Sequence, residues 1–467
     1  MQPSSDTIFA LATAVPPVQG SGIAIIRLSG PDAFKLASEI ISSDADSFPH
    51  KEFNLATISH DGKEIDRAGI LSFRGPHSYT GENVVEFHIH GGLEIIRSVE
   101  RALVKIGARP AEPGEFTRRA FLNGRLDLLQ AEAIASLVSA AGEAARREAL
   151  RQRAGRLSGK IESVRSALRD ILARLEVDFD YPEERIDGME SDEAVEKLGK
   201  VASELKPLLE SWEKGNLLGG FRLAIVGLPN VGKSSLLNAL TGEDTAIVTS
   251  TPGTTRDVVS GRLTFGGVPA ELLDTAGIRI IDENLDTAEA EGIRRSWREV
   301  ERAHLVLMVF DTNIPLGDDN IRLVKRARSI SEKTGAAILL VCNKSDLFSA
   351  WEPNVVCVMV EAPDSPHVIV SAKTGDGLDK LRAKVRELLR LDVSPDEILL
   401  TDSRHHALIE EVYGIIERVR DDLAKDLPQD VAATELWGAD RALGRLLGED
   451  LVSADLDEIF SRFCIGK

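Results

Sequence analysis

The residues with the clearest chemical purpose are Gly227-Leu228-Pro229-Asn230-Val231-Gly232-Lys233-Ser234, which fit the phosphate-cradling spacing G-x-x-x-x-G-K-[ST]. Glycines let backbone N–H groups converge on phosphate oxygens, and a helix N-terminus adds positive potential at the same point. Lys233 would reach the β- and γ-phosphates, and the Ser234 hydroxyl would hold Mg²⁺. The flanks suit this reading. Phe221 to Val226 is an apolar run that predicts a buried strand, and Ser235 to Leu240 predicts the start of a helix.

Four further segments extend the chemistry from phosphate to a whole nucleotide. Asn343-Lys344-Ser345-Asp346 follows an apolar strand, Ala336 to Cys342. The Asp346 carboxylate can accept from both N1–H and the 2-amino group of guanine, a donor pair that adenine lacks. A site built around such hydrogen bonds rejects a base that cannot make them by roughly 10⁴-fold. Ser371-Ala372-Lys373 follows another short strand, His367 to Val370, and would support the base edge. Asp274-Thr275-Ala276-Gly277 follows Pro269 to Leu273, so Asp274 can hold the Mg²⁺ shell and Gly277 can offer an N–H to the γ-phosphate. Thr255, within Gly253-Thr254-Thr255-Arg256-Asp257, is the candidate switch threonine on Mg²⁺. The order and spacing of these segments predict a GTPase. Residue 278 is Ile, where many small GTPases use Gln to orient the attacking water. Isoleucine cannot hydrogen-bond water, so another group must do so, and the acidic stretch Arg279 to Gly292 offers Asp282, Glu283, Asp286, Glu289 and Glu291.

The elements that must position these groups divide the chain. At 467 residues it exceeds one ordinary core. Residues 1–122 mix short strands and turns. Gly22 to Leu28 and Asn83 to His90 read as strands, and Asp32 to Ile41 and Leu93 to Ile106 as helices, which predicts a small α+β domain. Residues 123–218 turn helical, with Leu128, Ala131, Ile134, Ala135 and Val138 on one stripe and periodicity continuing to about Phe179. Gly215 to Gly220 reads as a flexible hinge into an α/β nucleotide domain at 219–380. Residues 381–467 return to helices, at His405 to Ala424, Val431 to Leu447 and Leu456 to Phe463. Neither helical flank makes a bundle alone. The expected architecture is therefore one helical domain with the α/β domain inserted into it.

The N-terminal half holds weaker candidates. Glu86, His88 and His90 alternate, so all three point to one face of a strand. A metal face and a metal-free polar face both fit that pattern. Arg27, Glu86 and Arg125 stand at or beside apolar segments and could line a pocket for an anionic, amide-rich ligand; solvated surface charges are the plainer reading.

Composition excludes other classes. The net charge of −19 argues against a chain that lives by gripping nucleic-acid backbone. Any RNA contact is expected to be local or shared with a partner. The arginine-rich stretch Arg146 to Arg169 reads as the polar face of a long helix. No apolar run approaches the ~20 residues of a membrane span, and the start Met1 to Asp6 lacks the basic residues of a signal peptide. Cys342, Cys357 and Cys464 have no metal or disulfide spacing, which fits a reducing, cytoplasmic setting.

The chain also resembles the tRNA modification GTPase family MnmE, or TrmE, over nearly all its length. Ser78-Tyr79-Thr80-Gly81-Glu82, Pro113-Gly114-Glu115-Phe116-Thr117, Ala120 to Asp127, the nucleotide segments and the terminal Cys464-Ile465-Gly466-Lys467 carry the resemblance. It implies an N-terminal domain that binds a 5-formyltetrahydrofolate-like folate and forms a homodimer. Arg27, Glu86, Arg125 and Lys467 match folate positions. Asn230, Thr249, Thr251 and Thr254 match potassium ligands, so that K⁺ would supply the charge an arginine finger gives elsewhere. Glu289 matches the catalytic glutamate, and Cys464 a thiol implicated in modification. The implied GTP-binding set comprises Asn230, Val231, Gly232, Lys233, Ser234 and Ser235; Thr249, Ser250, Thr251, Pro252, Gly253, Thr254 and Thr255; Asp274, Thr275, Ala276 and Gly277; and the base segments. The implied function is GTP hydrolysis coupled to wobble-uridine modification, with a separate FAD-containing protein in a heterotetramer. A ribosome-assembly or translation GTPase without folate chemistry is the alternative, as is a folate-dependent transferase that uses GTP only for assembly.

Overall fold

A computed structural model describes residues 6–16, 20–180, 189–242, 263–273, 297–347, 365–394, 396–425 and 427–466. The chain divides into two compact units. The first comprises 1–139, 149–205 and 407–467; the second comprises 140–148 and 206–406. The second unit thus runs beyond the boundaries expected at 219 and 380. The boundary at 380 falls inside the helix Leu378–Leu388, whose Leu378, Leu381 and Val385 are buried in the second unit's core.

The first unit is built on a sheet in the order β3-β4-β5-β2-β1-β6. Its strands are β1 (Ile8–Leu11), β2 (Ser21–Ser29), β3 (Phe53–His60), β4 (Lys63–Phe73), β5 (Val84–Gly91) and β6 (Arg109–Pro110). All pairings are antiparallel except β1 with β6. Side-chain alternation divides its two faces. Ala24, Ile26 and Leu28 of β2 and Val85, Phe87 and Ile89 of β5 are buried on one face. The helices Ala33–Ile40 and Leu93–Lys105 cover that face, the second through Ile96, Val99, Ala102 and Leu103. Strands β3 and β4 were not read from the sequence. They join through Asp61-Gly62, whose φ of 50° and 72° match a two-residue primed hairpin turn.

The helical part of this unit is more broken than its sequence suggested. Leu128–Ser139, Glu143–Arg153 and Arg156–Asp180 are separate helices rather than one periodic run to Phe179. Within the unit, Arg156–Asp180 packs on Gln429–Leu447, which joins chain segments on either side of the second unit's sequence. A buried ionic clamp fixes this pairing. Asp440 accepts from Arg165 Nε at 2.9 Å and Arg169 Nε at 2.7 Å. Arg165 is itself buried, so the arginine-rich stretch is not simply a solvated helix face.

The second unit holds a mostly parallel sheet in the order β12-β11-β10-β7-β9-β8. Its strands are β7 (Phe221–Val226), β8 (Leu263–Phe265), β9 (Val268–Leu272), β10 (Leu305–Asp311), β11 (Ala337–Asn343) and β12 (His367–Ile369). Every residue of β10 is buried, as expected for a central strand covered on both faces. Leu236 and Leu381 pack on one face, and Val324, Ala327 and Ile330 of the helix Asp318–Thr334 on the other. The first part of the expected hinge is helical. Gly215 lies buried in the helix Trp212–Leu217, where a Cβ would sit 2.0 Å from the Leu400 carbonyl oxygen.

Candidate functional site

In the second unit the strand ends gather the nucleotide segments into one place. The loop Gly227–Gly232 connects β7 to the helix Lys233–Gly242. Its conformation depends on particular residues. Asn230 adopts φ 64°, a left-handed position that asparagine tolerates. Gly232 has φ 95°, and a Cβ there would lie 2.3 Å from Asn343 Nδ2. Lys233 Nζ donates to the carbonyls of Gly227 at 2.8 Å and Leu228 at 2.9 Å. Burial holds its ammonium below the usual lysine range, a cost that a phosphate beside it would offset by favouring the charged form.

Asn343, at the end of β11, stitches three loops together. Its Nδ2 donates to the Val231 carbonyl at 2.9 Å, and its Oδ1 accepts from the Ala372 N–H at 3.0 Å. Lys344, at φ 66°, donates to the Asn230 carbonyl at 2.8 Å. Ser371 Oγ, fully buried, donates to Asp346 Oδ1 at 2.7 Å and fixes the orientation of the exposed carboxylate. Lys373 is exposed beside them. One participant escaped sequence reasoning. Asp311 closes β10 and accepts from Lys344 Nζ at 2.6 Å. Burial opposes its ionisation, yet the Lys344 hydrogen bond and those from Asn313 hold its carboxyl below the ordinary range. An aspartate ending the most apolar strand was the available signal. Ser234 and Ser235 are exposed at the helix start. Thr249 to Thr255, Asp274 to Gly277, Ile278, Glu289 and Lys467 lie outside the described residues.

In the first unit, Arg27 on β2 and Glu86 on β5 are direct cross-strand partners. Arg27 Nε donates to Glu86 Oε1 at 2.9 Å. The guanidinium stands 5.6 Å from the Tyr79 ring centroid and 5.7 Å from that of Phe116. This pair faces a cavity of about 320 Å³, whose walls also include Phe73, Tyr79 and Val84. Ile134, Leu137, Val138 and Arg153 from the helical segments complete it. The apolar walls would bury a flat ring. Glu86 would accept from amine donors and Arg27 would donate to carbonyls, so the donor set fits a folate-type heterocycle. Sequence reasoning assigned no role to Tyr79, Phe73, Phe116 or Arg153, because their approach depends on sheet register and helix packing.

The other candidates sit differently. Arg125 is exposed, its stem beside Gly81, and it is not among the cavity walls. His88 Nε2 lies 3.5 Å from Glu86 Oε2, whereas His90 Nδ1 is 2.8 Å from Asp66. Among the described residues no group of three or more His, Cys, Asp or Glu is placed to hold a metal ion. Cys464 is exposed. The tail nevertheless lies on the sheet. Gly466, at φ 91°, approaches β1 so closely that a Cβ would sit 2.7 Å from the Leu11 carbonyl oxygen. Leu11 adjoins Ala10, the register partner of Arg27.

The Gly232–Lys233 loop, the Asn343 stitch and the Asp346–Ser371 pair, all at strand ends of a mostly parallel sheet, define the second unit as a P-loop GTPase domain. Comparison with known proteins extends this to the whole chain. A profile of the "MnmE helical domain" matches residues 128–464, and one of the "GTP-binding protein TrmE N-terminus" matches residues 7–125. The tRNA modification GTPase MnmE of Thermotoga petrophila is 39% identical over 468 residues, covering 99% of this chain and 100% of that protein. The protein of the same description from Moorella thermoacetica is 40% identical over 480 residues, covering 99% of each. The solved G domain of the T. maritima FeoB iron transporter is 28% identical, covers 36% of this chain and 98% of its own, and superposes with a TM-score of 0.27. The chain belongs to the MnmE family of GTPases. Among the described residues, no helix is long and apolar enough to cross a membrane.

Proposed function

We propose that this chain hydrolyses GTP to drive modification of the wobble uridine of certain tRNAs. It would act as a cytoplasmic homodimer, in a heterotetramer with an FAD-containing partner. The product is an aminomethyl-type group, such as carboxymethylaminomethyl, at uridine C5. Bound folate supplies the one-carbon unit. This chain's residues bind and orient: Glu86 and Arg27 hold the heterocycle, and Lys467 follows Gly466, whose seat on β1 brings the tail beside the strand of Arg27. Arg125 reaches the ligand from outside the described cavity, and Cys464 serves the modification step. Lys233, Ser234 and Thr255 hold phosphate and Mg²⁺. Potassium held by Asn230, Thr249, Thr251 and Thr254 stimulates hydrolysis, with Glu289 orienting water. RNA contacts are local or shared with the partner, in keeping with the net charge of −19.

The observation that supports this reading best is the pairing, on one chain, of a guanine-nucleotide site with the Arg27–Glu86 cavity. A translation GTPase has no use for the second. Mass spectrometry of wobble nucleosides from cells lacking the protein should show loss of the C5 group, restored by the wild type and not by Lys233→Ala. An unchanged nucleoside profile would refute the proposal.

A further inference from the structure

Arg153 is the last residue of the helix Glu143–Arg153 and lines the Arg27–Glu86 cavity from the helical wall. The two arginines of this cavity are not equivalent. Arg27 is already balanced by Glu86 at 2.9 Å. Arg153 has no hydrogen-bond or ion-pair partner among the described residues, although it is near enough to Tyr79 to bias its phenol electrostatically. Among the described residues, the cavity therefore carries one uncompensated positive charge. Its remaining walls, Ile134, Leu137, Val138, Phe73 and Val84, contribute no anion. Such a cavity selects a ligand with a planar hydrogen-bonding ring, an apolar middle and an anionic arm. A planar guanidinium is well matched to a carboxylate, which it can grip through two parallel hydrogen bonds.

We infer that Arg153 binds the carboxylate of the ligand's arm and so makes the helical segment part of the ligand site. This rests on the proposed folate reading and names the residue that reads the glutamate portion. A second consequence is specificity: the site distinguishes a folate bearing glutamate from the same heterocycle without it.

Calorimetric titration of the full-length protein tests this with two probes, 5-formyltetrahydrofolate and the corresponding 5-formyltetrahydropteroate, which lacks the glutamate. Arg153→Gln should weaken the first by about tenfold or more and leave the second unchanged, because one charge-assisted contact is lost. Arg153→Lys should recover part of the loss, and Arg27→Gln should weaken both probes. Arg153 is exposed, and an unchanged thermal melt of Arg153→Gln confirms that the fold is retained. Equal weakening of both probes, or of neither, would show that Arg153 serves only its helix end and would overturn the inference while sparing the folate reading. Failure of the wild type to bind either probe would overturn both.

Discussion

Each unit of this molecule is built on a six-stranded sheet, and the two sheets collect functional groups in opposite ways. The mostly parallel sheet places Asn343, Lys344, Asp346, Ser371 and the Gly232–Lys233 loop in the segments that follow its strands. Ligands of open α/β sheets bind in that crevice. Each group there belongs to a short contiguous stretch. The antiparallel sheet places Arg27 and Glu86 in the middle of two strands, 59 residues apart in sequence, and their meeting depends on register alone. A parallel sheet turns function into local motifs. An antiparallel face turns it into distant pairs.

The largest effect should come from the base reader. Asp346→Asn exchanges an acceptor for a mixed donor and acceptor, so the kcat/KM for GTP should fall by roughly 10⁴-fold and that for xanthosine triphosphate should rise. Steady-state kinetics with both nucleotides decide it. An unchanged kcat/KM for GTP would remove Asp346 from the site and break the local-motif half of the comparison.

Next comes the ionic network that holds the antiparallel unit together. Arg119 is buried and donates to Asp6 Oδ1 at 2.8 Å and Glu115 Oε1 at 3.0 Å, and it lies 3.3 Å from the Glu82 carboxylate. Arg119→Met leaves Glu82 without a cation and Asp6 and Glu115 with Arg109 alone, and should cost about 3–5 kcal/mol in denaturant melts. The network also carries a pH dependence. Burial opposes ionisation of Glu115, but hydrogen bonds from Arg109, the Glu112 N–H and Arg119 hold its carboxyl below the usual range. Its folded pKa is depressed, so its contribution to stability is present above the unfolded value of about 4.3 and is lost as pH falls through the folded value. Melts of the wild type from pH 6 to pH 3 should show that loss, and Arg119→Met should reduce it while Arg109 and the Glu112 N–H still hold part of it. A flat wild-type profile would show that the network adds nothing.

A third expectation concerns hydrolysis. Ile278 cannot align water, and Glu289 with bound potassium is proposed to do so. Glu289→Ala should lower kcat by roughly 10²-fold with little change in KM. At equal ionic strength, potassium should outpace sodium, because general screening acts alike for both salts. Asn230→Ala should remove that difference and spare GTP binding. Potassium-independent turnover of the wild type would sink the mechanism, whereas a near-normal Glu289→Ala would move the role to Glu283 or Glu291.

The same contrast explains what the sequence made legible. The strand–loop–helix at Phe221–Gly242 and the strand before Asn343 were readable, because buried parallel strands are continuous apolar runs that end at their motifs, and the edge strand before Ser371 was readable from its short apolar run. Strands β2 and β5 were also readable from alternation. Strands β3 and β4 were not, although Asp61-Gly62 was a usable hairpin signal. The Arg27–Glu86 pairing could be suggested only as three scattered charges, and resemblance added roles without geometry. Tyr79, Phe73 and Arg153 were illegible as wall residues because each reaches the cavity from a different stretch of the chain. Within the expected hinge Gly215 to Gly220, Gly215 instead packs in a helix, because glycine signals both looseness and close approach, and only the nearby Leu400 carbonyl distinguishes the two.

The smallest expected effect is also the most direct test of a site made by register. Glu86→Gln keeps the size and one acceptor oxygen of the side chain but removes its charge. It therefore loses the charge-assisted part of its bond to Arg27 and of any bond from a ligand amine, a difference worth about 1–2 kcal/mol. Affinity for 5-formyltetrahydrofolate should fall by roughly tenfold in calorimetry. GTP affinity should not change, since Glu86 and the nucleotide segments belong to different units. The double variant Arg27→Gln, Glu86→Gln sharpens the point. If the two residues act as one cross-strand pair, its loss should be less than the sum of the single losses, because each single change already removes the charge-assisted part of their shared hydrogen bond. Strict additivity would mean that Arg27 and Glu86 contact the ligand independently, and that register brings them near each other without making them a unit.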